Sequence, residues 1–148
     1  MGFDIYGIKP KSKKETHSYF RANVWYWRPL WAFVEEICEE ELSRLDDDIG
    51  QFNDGAEVPD RIAIDIGNKL NRALKNGNFQ KFKDNFEKQQ NEVPEDDCTA
   101  CSDKPEDDCN RCDGTKKVEN INTWYKCDYE LTELFADFCL NSGGFNIC

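Results

Sequence analysis

The chain has 148 residues, a formal net charge of −11 and 13% aromatic residues. This length supplies one hydrophobic core of moderate size, so we expect a single domain over residues 1–148. Residues 1–14 lack an apolar run of signal-peptide length, and the most apolar stretch, residues 24–34, is interrupted by Arg28 and Pro29. These features argue against a secreted protein and against a membrane protein, and predict a cytoplasmic location.

The predicted elements begin with a short strand, in which Phe3 and Ile5 alternate with polar residues. Pro29 is well placed as the first residue of a helix, which should continue from Leu30 to about residues 48–50 with one apolar and one acidic face. A turn is expected at residues 52–55, because Asn, Asp and Gly tolerate positive φ.

Three more helices are predicted from apolar residues at helical spacing, over residues 60–76, 78–91 and 128–141. Asp60 should cap the first of them, and Gly77 should end it. The second and third should bury their apolar residues, which are Phe79, Phe82, Phe86, Leu131, Leu134, Phe135 and Phe138.

The last four residues, 145–148, alternate in the manner of a strand. We expect this strand to pair with the opening strand, which would join the two termini in a small sheet. The predicted fold class is therefore α+β and mainly helical, with a small sheet and one hairpin excursion at residues 95–118.

That excursion carries the most specific motif of the chain, a C-x₂-C-x₇-C-x₂-C pattern formed by Cys98, Cys101, Cys109 and Cys112. This spacing is typical of a tetrahedral site for one structural Zn²⁺ ion. Gly114 supports the prediction, because the turn that aims the second pair at a metal needs unusual backbone dihedrals. The alternative is two disulfides in a secreted protein, which the dispersed cysteines elsewhere in the chain disfavour.

The charge distribution bears on what this excursion binds. Residues 95–113 contain eight acidic residues against Lys104 and Arg111, a net charge of −6. Nucleic-acid affinity comes mostly from lysine and arginine, so an anionic zinc hairpin favours a structural role or a docking surface for a basic protein. The basic segment at residues 9–14 is either a phosphate contact or a solvated loop, and we favour the loop.

Residues 19–33 contain seven aromatic residues, for which two interpretations are open. The rings and two arginines could form a site for a nucleotide or nucleic acid, or the rings could build the hydrophobic core, which we favour. Asp54 could hold a cation, although a plain turn is favoured. The candidate ligand-binding residues are Tyr19, Arg21, Trp25, Trp27, Arg28, Trp31 and Asp54.

Catalytic motifs are missing from the sequence. His17 is the single histidine, and no nucleophile elbow, phosphate-binding loop or H-E-x-x-H motif is present. A four-cysteine zinc site has no open coordination position. We therefore favour a protein without catalytic activity over a small enzyme with a pocket near Asp54.

Four sequence blocks resemble a family of small proteins encoded by bacteriophages and their bacterial hosts. The blocks are MGFDIYG at residues 1–7, YFRANVWYWRPLW at 19–31, FNDG at 52–55 and SGGFNIC at 142–148. The paired C-x₂-C motifs are similar to the cysteine-rich zinc repeats of J-domain co-chaperones, although only the second pair is followed by the glycine, Gly114. The resemblance implies a phage or bacterial origin and a metal-binding segment.

These observations predict a zinc-stabilised phage accessory protein that binds a host protein in the host cytoplasm, with inhibition of a defence system as one form of that binding. The alternative is a nucleotide or nucleic-acid binder that uses residues 19–31. The sequence leaves the oligomeric state open.

Overall fold

The computed structural model describes residues 1–101 and 109–148. The chain divides into two compact units, of which the first comprises residues 1–84 and 125–148 and the second comprises residues 85–124. The predicted hairpin, residues 95–118, lies within the second unit. Helices combine with a small antiparallel sheet, which confirms the α+β class.

The strands are β1 (Gly2–Gly7), β2 (Tyr19–Asn23), β3 (Ala56–Val58), β4 (Asp96–Asp97), β5 (Lys117–Val118) and β6 (Phe145–Ile147). The helices are α1 (Glu15–Ser18), α2 (Val24–Ile37), α3 (Glu39–Leu42), α4 (Asp60–Asn76), α5 (Asn78–Asn91) and α6 (Tyr129–Asn141), with a 3₁₀ turn at Ile121–Trp124.

The sheet of the first unit joins the two ends of the chain, as predicted. Its strand order is β2-β1-β6-β3 and all neighbours are antiparallel. Ile5 of β1 lies opposite Ile147 of β6, and both side chains are fully buried. The sequence analysis missed β2, because its aromatic residues continue without a break into the next helix.

The prediction that Pro29 begins a helix is wrong. Helix α2 begins at Val24, and the Asn23 side chain caps it by accepting a hydrogen bond from the Trp25 backbone N–H (3.0 Å). Pro29 lies inside the helix and has no N–H to offer the Trp25 carbonyl one turn earlier. That carbonyl accepts instead from the Lys126 backbone N–H (2.9 Å), so a neighbouring segment compensates for the proline.

The predicted end of this helix is also wrong. Helix α2 ends at Ile37, and Cys38, with φ −121° and ψ 27°, separates it from the short α3. The chain then turns back, so that the carbonyls of Ile49 and Gly50 accept hydrogen bonds from two buried indoles of α2. A helix continuing to residue 48 could not place these carbonyls there.

The remaining helices have the predicted bounds to within one residue. Gly77 ends α4 in the left-handed region (φ 86°), whereas Pro59, not Asp60, occupies the N-cap position. Leu134 is 54% exposed, so its predicted burial on α6 is wrong. Phe82 and Phe86 of α5 are only half-buried, whereas Phe79 is buried.

The core of the first unit is built mainly from aromatic rings. Phe3, Trp27 and Trp31 form a continuous stack with successive centroid distances of 5.2 Å. Phe135 packs edge-on against Trp27 at 5.5 Å and contacts Phe20 at 5.0 Å. A chain with a mean hydropathy of −0.81 has few aliphatic residues, and large rings are prominent among its fully buried side chains.

Among the described residues, no helix combines the length and the apolar character that crossing a membrane requires.

Candidate metal centre

Short strands position the first cysteine pair. Strands β4 and β5 pair antiparallel, with Asp97 opposite Lys117. Cys98 follows β4 directly, and its backbone N–H donates to the Lys116 carbonyl (2.8 Å), which continues the ladder by one step. This hydrogen bond fixes the backbone of Cys98 at the end of the two-stranded ladder.

A tight turn positions the second pair. The Asp113 backbone N–H donates to the Cys109 carbonyl (2.8 Å), which closes the turn around the C-x₂-C sequence. Asp113 (φ 48°) and Gly114 (φ 79°) then adopt left-handed conformations, as expected for the residues that return the chain after such a turn. The prediction that the turn requires Gly114 at an unusual dihedral is confirmed.

The four sulfur atoms converge on one point. All four Sγ atoms lie within 4.8 Å of one another, and the four side chains are buried. Two separations are 3.9 Å (Cys98 to Cys109) and 3.6 Å (Cys101 to Cys112). A tetrahedron with metal–sulfur bonds of about 2.3 Å has sulfur–sulfur edges of about 3.8 Å, so this group could hold a metal ion.

The same distances exclude disulfide bonds in this cluster. A disulfide joins its sulfurs at about 2.05 Å, and all eight cysteines of the chain are free. The predicted hairpin link, residues 102–108, lies outside the described residues.

A cation would stabilise the deprotonated form of the cysteine cluster. Burial, followed by hydrogen bonds with the other three cysteines that favour its protonated form, raises the pKa of Cys101, because a buried thiolate without a metal lacks a counter-charge. A metal ion supplies that charge and displaces the protons. At the edge of the hairpin, an ion pair with Lys117 lowers the pKa of Asp97.

Two buried thiols outside the cluster, those of Cys38 and Cys139, are poor nucleophiles. Burial, followed by the nearby Glu41 carboxylate, raises the pKa of Cys38 to about 12, and burial also raises the pKa of Cys139. Both thiols are protonated at neutral pH, and the protonated form is unreactive.

The aromatic candidates for ligand binding are divided between core and surface. Trp27 and Trp31 are at most 1% exposed, and their indole N–H groups donate to the backbone carbonyls of Gly50 and Ile49 (2.8 and 2.7 Å). They are core residues, as the favoured interpretation predicts. Trp25 is half-buried and packs edge-on against Tyr125 at 4.9 Å.

The two arginine candidates have different partners within the first unit. Arg28 donates to the Gln51 side chain (2.7 Å), and its guanidinium lies 5.9 Å from the centre of the Phe3 ring. Arg21 lies 3.6 Å from an Asp4 carboxylate oxygen. Tyr19 donates to the same oxygen, and this hydrogen bond raises the pKa of the phenol. Nucleotide binding by residues 19–31 stays a prediction.

Asp54 occupies the turn predicted for residues 52–55. Its carboxylate accepts a hydrogen bond from the Ala56 backbone N–H (3.2 Å), which is the local bond of an aspartate turn. This observation favours the plain turn over a cation site.

The sequence analysis missed a hydrogen-bonded group around His17, because its members are far apart in the chain. The His17 ring is buried, its Nδ1 lies 2.6 Å from the Ser12 hydroxyl, and its Nε2 lies 3.2 Å from the Asp137 carboxylate. In the neutral ring, Nε2 donates to the carboxylate and Nδ1 accepts from the hydroxyl. The Ser12 oxygen also accepts from the Lys14 N–H (3.2 Å), so this group ties the basic loop to α6.

Comparisons with protein-family models, with curated proteins and with solved structures find no match to this chain.

Proposed function

We propose that the protein is a zinc-stabilised binding protein that engages a protein partner and catalyses no reaction of its own. The observation that carries the proposal is the closed group of four buried cysteine sulfurs. Four thiolates fill a tetrahedral coordination shell and leave no position for a substrate or a reactive water, which is the arrangement of a structural zinc site.

Zinc fits this group better than an iron–sulfur cluster. Sulfur separations of 3.6 and 3.9 Å match the edges of a tetrahedron around one ion. A cluster of several irons places metal and bridging sulfide between its cysteines and holds them farther apart. In this proposal the zinc ion contributes folding energy to a segment with little hydrophobic core of its own.

The charge of the protein supports a cationic protein as the partner. The chain carries −11 overall, and residues 95–113 carry −6 before the thiolates are counted. A net charge of this sign repels phosphate and attracts lysine and arginine side chains. The resemblance to phage-encoded proteins points to a partner in the cytoplasm of the bacterial host, and a component of a defence system is one such partner.

Affinity capture from a bacterial lysate tests this proposal. The tagged, zinc-loaded protein should retain a stoichiometric partner at about 0.05 M salt and release most of it at about 0.5 M salt, because screening weakens contacts between exposed charges. Capture of no stoichiometric partner, or a partner whose retention is independent of salt, would contradict the proposal.

A further inference from the structure

Strand β2 forms an open edge of the sheet. In the part of the chain that the structure describes, β1 lies on one side of β2 and no strand lies on the other. The Val24 backbone N–H donates to the Met1 carbonyl (3.2 Å). In an antiparallel pair, the residues whose backbone groups bond to the partner strand recur at every second position. The backbone N–H and carbonyl groups of Phe20 and Ala22 therefore point toward β1. Those of Arg21 point away from β1, toward the open edge.

The neighbouring strand gives the same orientation. Asp4 lies opposite Arg21 and exchanges both of its backbone hydrogen bonds with Cys148 (2.8 Å each), on the side of β1 away from β2. In an antiparallel pair, two residues opposite each other point their backbone N–H and carbonyl groups either both toward the other strand or both away from it. The outward direction of the Arg21 backbone thus follows from two independent sets of bonds.

A groove lies beside this edge, between β2 and α6. It has a volume of about 310 Å³, and its apolar lining includes Ala22, Tyr26, Leu131 and Leu134. Leu134 is 54% exposed and Tyr26 is 37% exposed. An exposed leucine next to unpaired backbone groups is the combination that sheet domains use to bind extended peptides, where the backbone supplies hydrogen bonds and the groove accepts alternate side chains.

The charges around the groove select a cationic occupant. Asp128 and Glu130 line it, and α6 contains Glu130, Glu133 and Asp137 but no lysine or arginine. Arg21 also lines the groove, and its guanidinium is paired with the Asp4 carboxylate (3.6 Å), which offsets its positive charge and leaves the two groove carboxylates in excess.

We infer that an extended, lysine- or arginine-bearing segment of a partner protein adds to the sheet along β2 and places an apolar side chain in the groove beside Leu134. Side chains of a strand alternate between its two faces, so every second residue of the segment faces the groove. A second copy of this chain fits less well. Antiparallel pairing of two β2 strands centred on Arg21 would oppose two arginines, and like charges directly opposite each other are destabilising.

The inference rests on the proposed function and names the docking site and the chemistry of the partner. Its test uses the full-length protein and a synthetic seven-residue peptide with isoleucine at position 4, lysine at positions 2 and 6 and threonine elsewhere, so that the isoleucine and both lysines share the face toward the groove. The same peptide with glutamate at positions 2 and 6 is the charge control. The variant is Leu134→Lys. The matched control is Ile121→Lys, which adds the same charge at a residue of similar exposure (52%) in the second unit.

The lysine peptide should bind the wild type, and Leu134→Lys should weaken that binding at least about tenfold, as for loss of a central anchor. Ile121→Lys should change it by less than about twofold, because Ile121 is not among the residues that line the groove. At saturation, hydrogen exchange of the Arg21 amide should slow, since this N–H gains a partner. The inference would be overturned if the two variants had equal effects or if the glutamate peptide bound more tightly. It would also be overturned by unchanged exchange of the Arg21 amide or by self-association through β2.

The two proposals fail separately. A cationic partner from the lysate that binds Leu134→Lys as well as the wild type would refute the groove and leave the proposed function standing. Peptide docking at β2 without any captured partner would support the groove and refute the proposed function.

Discussion

Two adjacent residues of α6 should respond very differently to truncation. Phe135 is fully buried, with ring neighbours Phe20, Trp27 and Phe145 at centroid distances of 5.0, 5.5 and 5.8 Å. Removing such a ring loses its transfer free energy and leaves a cavity, so Phe135→Ala should lower the free energy of unfolding by about 3–5 kcal/mol. This is a large part of the roughly 5–15 kcal/mol that stabilises a domain.

Leu134 is 54% exposed, so its truncation should lower the free energy of unfolding much less. Full burial of a leucine side chain contributes about 1.5–3 kcal/mol, so roughly half of that, about 1 kcal/mol, is lost in Leu134→Ala. The higher helix propensity of alanine offsets part of this loss. The two variants should therefore differ by at least about 2 kcal/mol in the free energy of unfolding.

Urea denaturation followed by far-ultraviolet circular dichroism measures both values. The slope of the free energy with urea concentration should be the same for the two variants, which licenses the comparison. If Leu134→Ala costs as much as Phe135→Ala, then Leu134 is covered in solution, and both the orientation of α6 and the open groove are refuted.

Three further predictions concern other parts of the chain. Gly50→Ala should cost at least about 2 kcal/mol, because Gly50 has φ +79° and an added Cβ would lie 2.1 Å from Cε2 of the buried Trp31 ring. Glu41→Gln should lower the free energy of unfolding by about 1 kcal/mol at pH 7, since Lys69 lies 2.6 Å from the Glu41 carboxylate and lowers its pKa. A lowered folded-state pKa stabilises the fold above the unfolded pKa, so the difference should shrink as the pH falls below about 4.3, the ordinary pKa of glutamate, and vanish below the folded-state pKa. Cys109→Ser should reduce bound zinc from one ion per chain to a substoichiometric amount by elemental analysis, and should speed amide exchange at residues 95–118.

Each of these predictions has an internal control. Gly55 has φ +88° and no atom within 4 Å of an added Cβ, so Gly55→Ala should cost only the backbone term of about 1 kcal/mol. Cys148→Ser should leave the zinc content unchanged, because Cys148 lies outside the four-cysteine cluster. A pH-independent effect of Glu41→Gln, or wild-type protein purified reduced and without zinc, would contradict the corresponding argument.

Local signals in the sequence located most of the elements. Helices α4, α5 and α6 were predicted from the helical spacing of their apolar residues. Two of their boundaries also carry local signals, Gly77 after α4 and Asp128 before α6. The Asp128 side chain accepts a hydrogen bond from the Leu131 backbone N–H (2.7 Å), as a helix cap does. The cysteine cluster was predictable for the same reason, since each C-x₂-C turn is local.

The bounds of α2 could not be predicted in this way. Pro29 is an ordinary first residue of a helix by local rules, and it is tolerated inside α2 because the distant Lys126 N–H satisfies the Trp25 carbonyl. The end of α2 is likewise set by a long-range requirement, since Trp27 and Trp31 need carbonyl partners that only the returning chain provides.

By itself, the sequence determined the α+β class and the convergence of Cys98, Cys101, Cys109 and Cys112, because periodicity, capping and short ligand spacing act over a few residues. Only the tertiary structure decided which apolar residues are covered. Leu134 matches the helical period of its buried neighbours, yet it stays exposed because no described element packs over it beside β2. Burial depends on what lies opposite a side chain in space, and residues such as His17 and Asp137, 120 positions apart, meet only when the chain has folded.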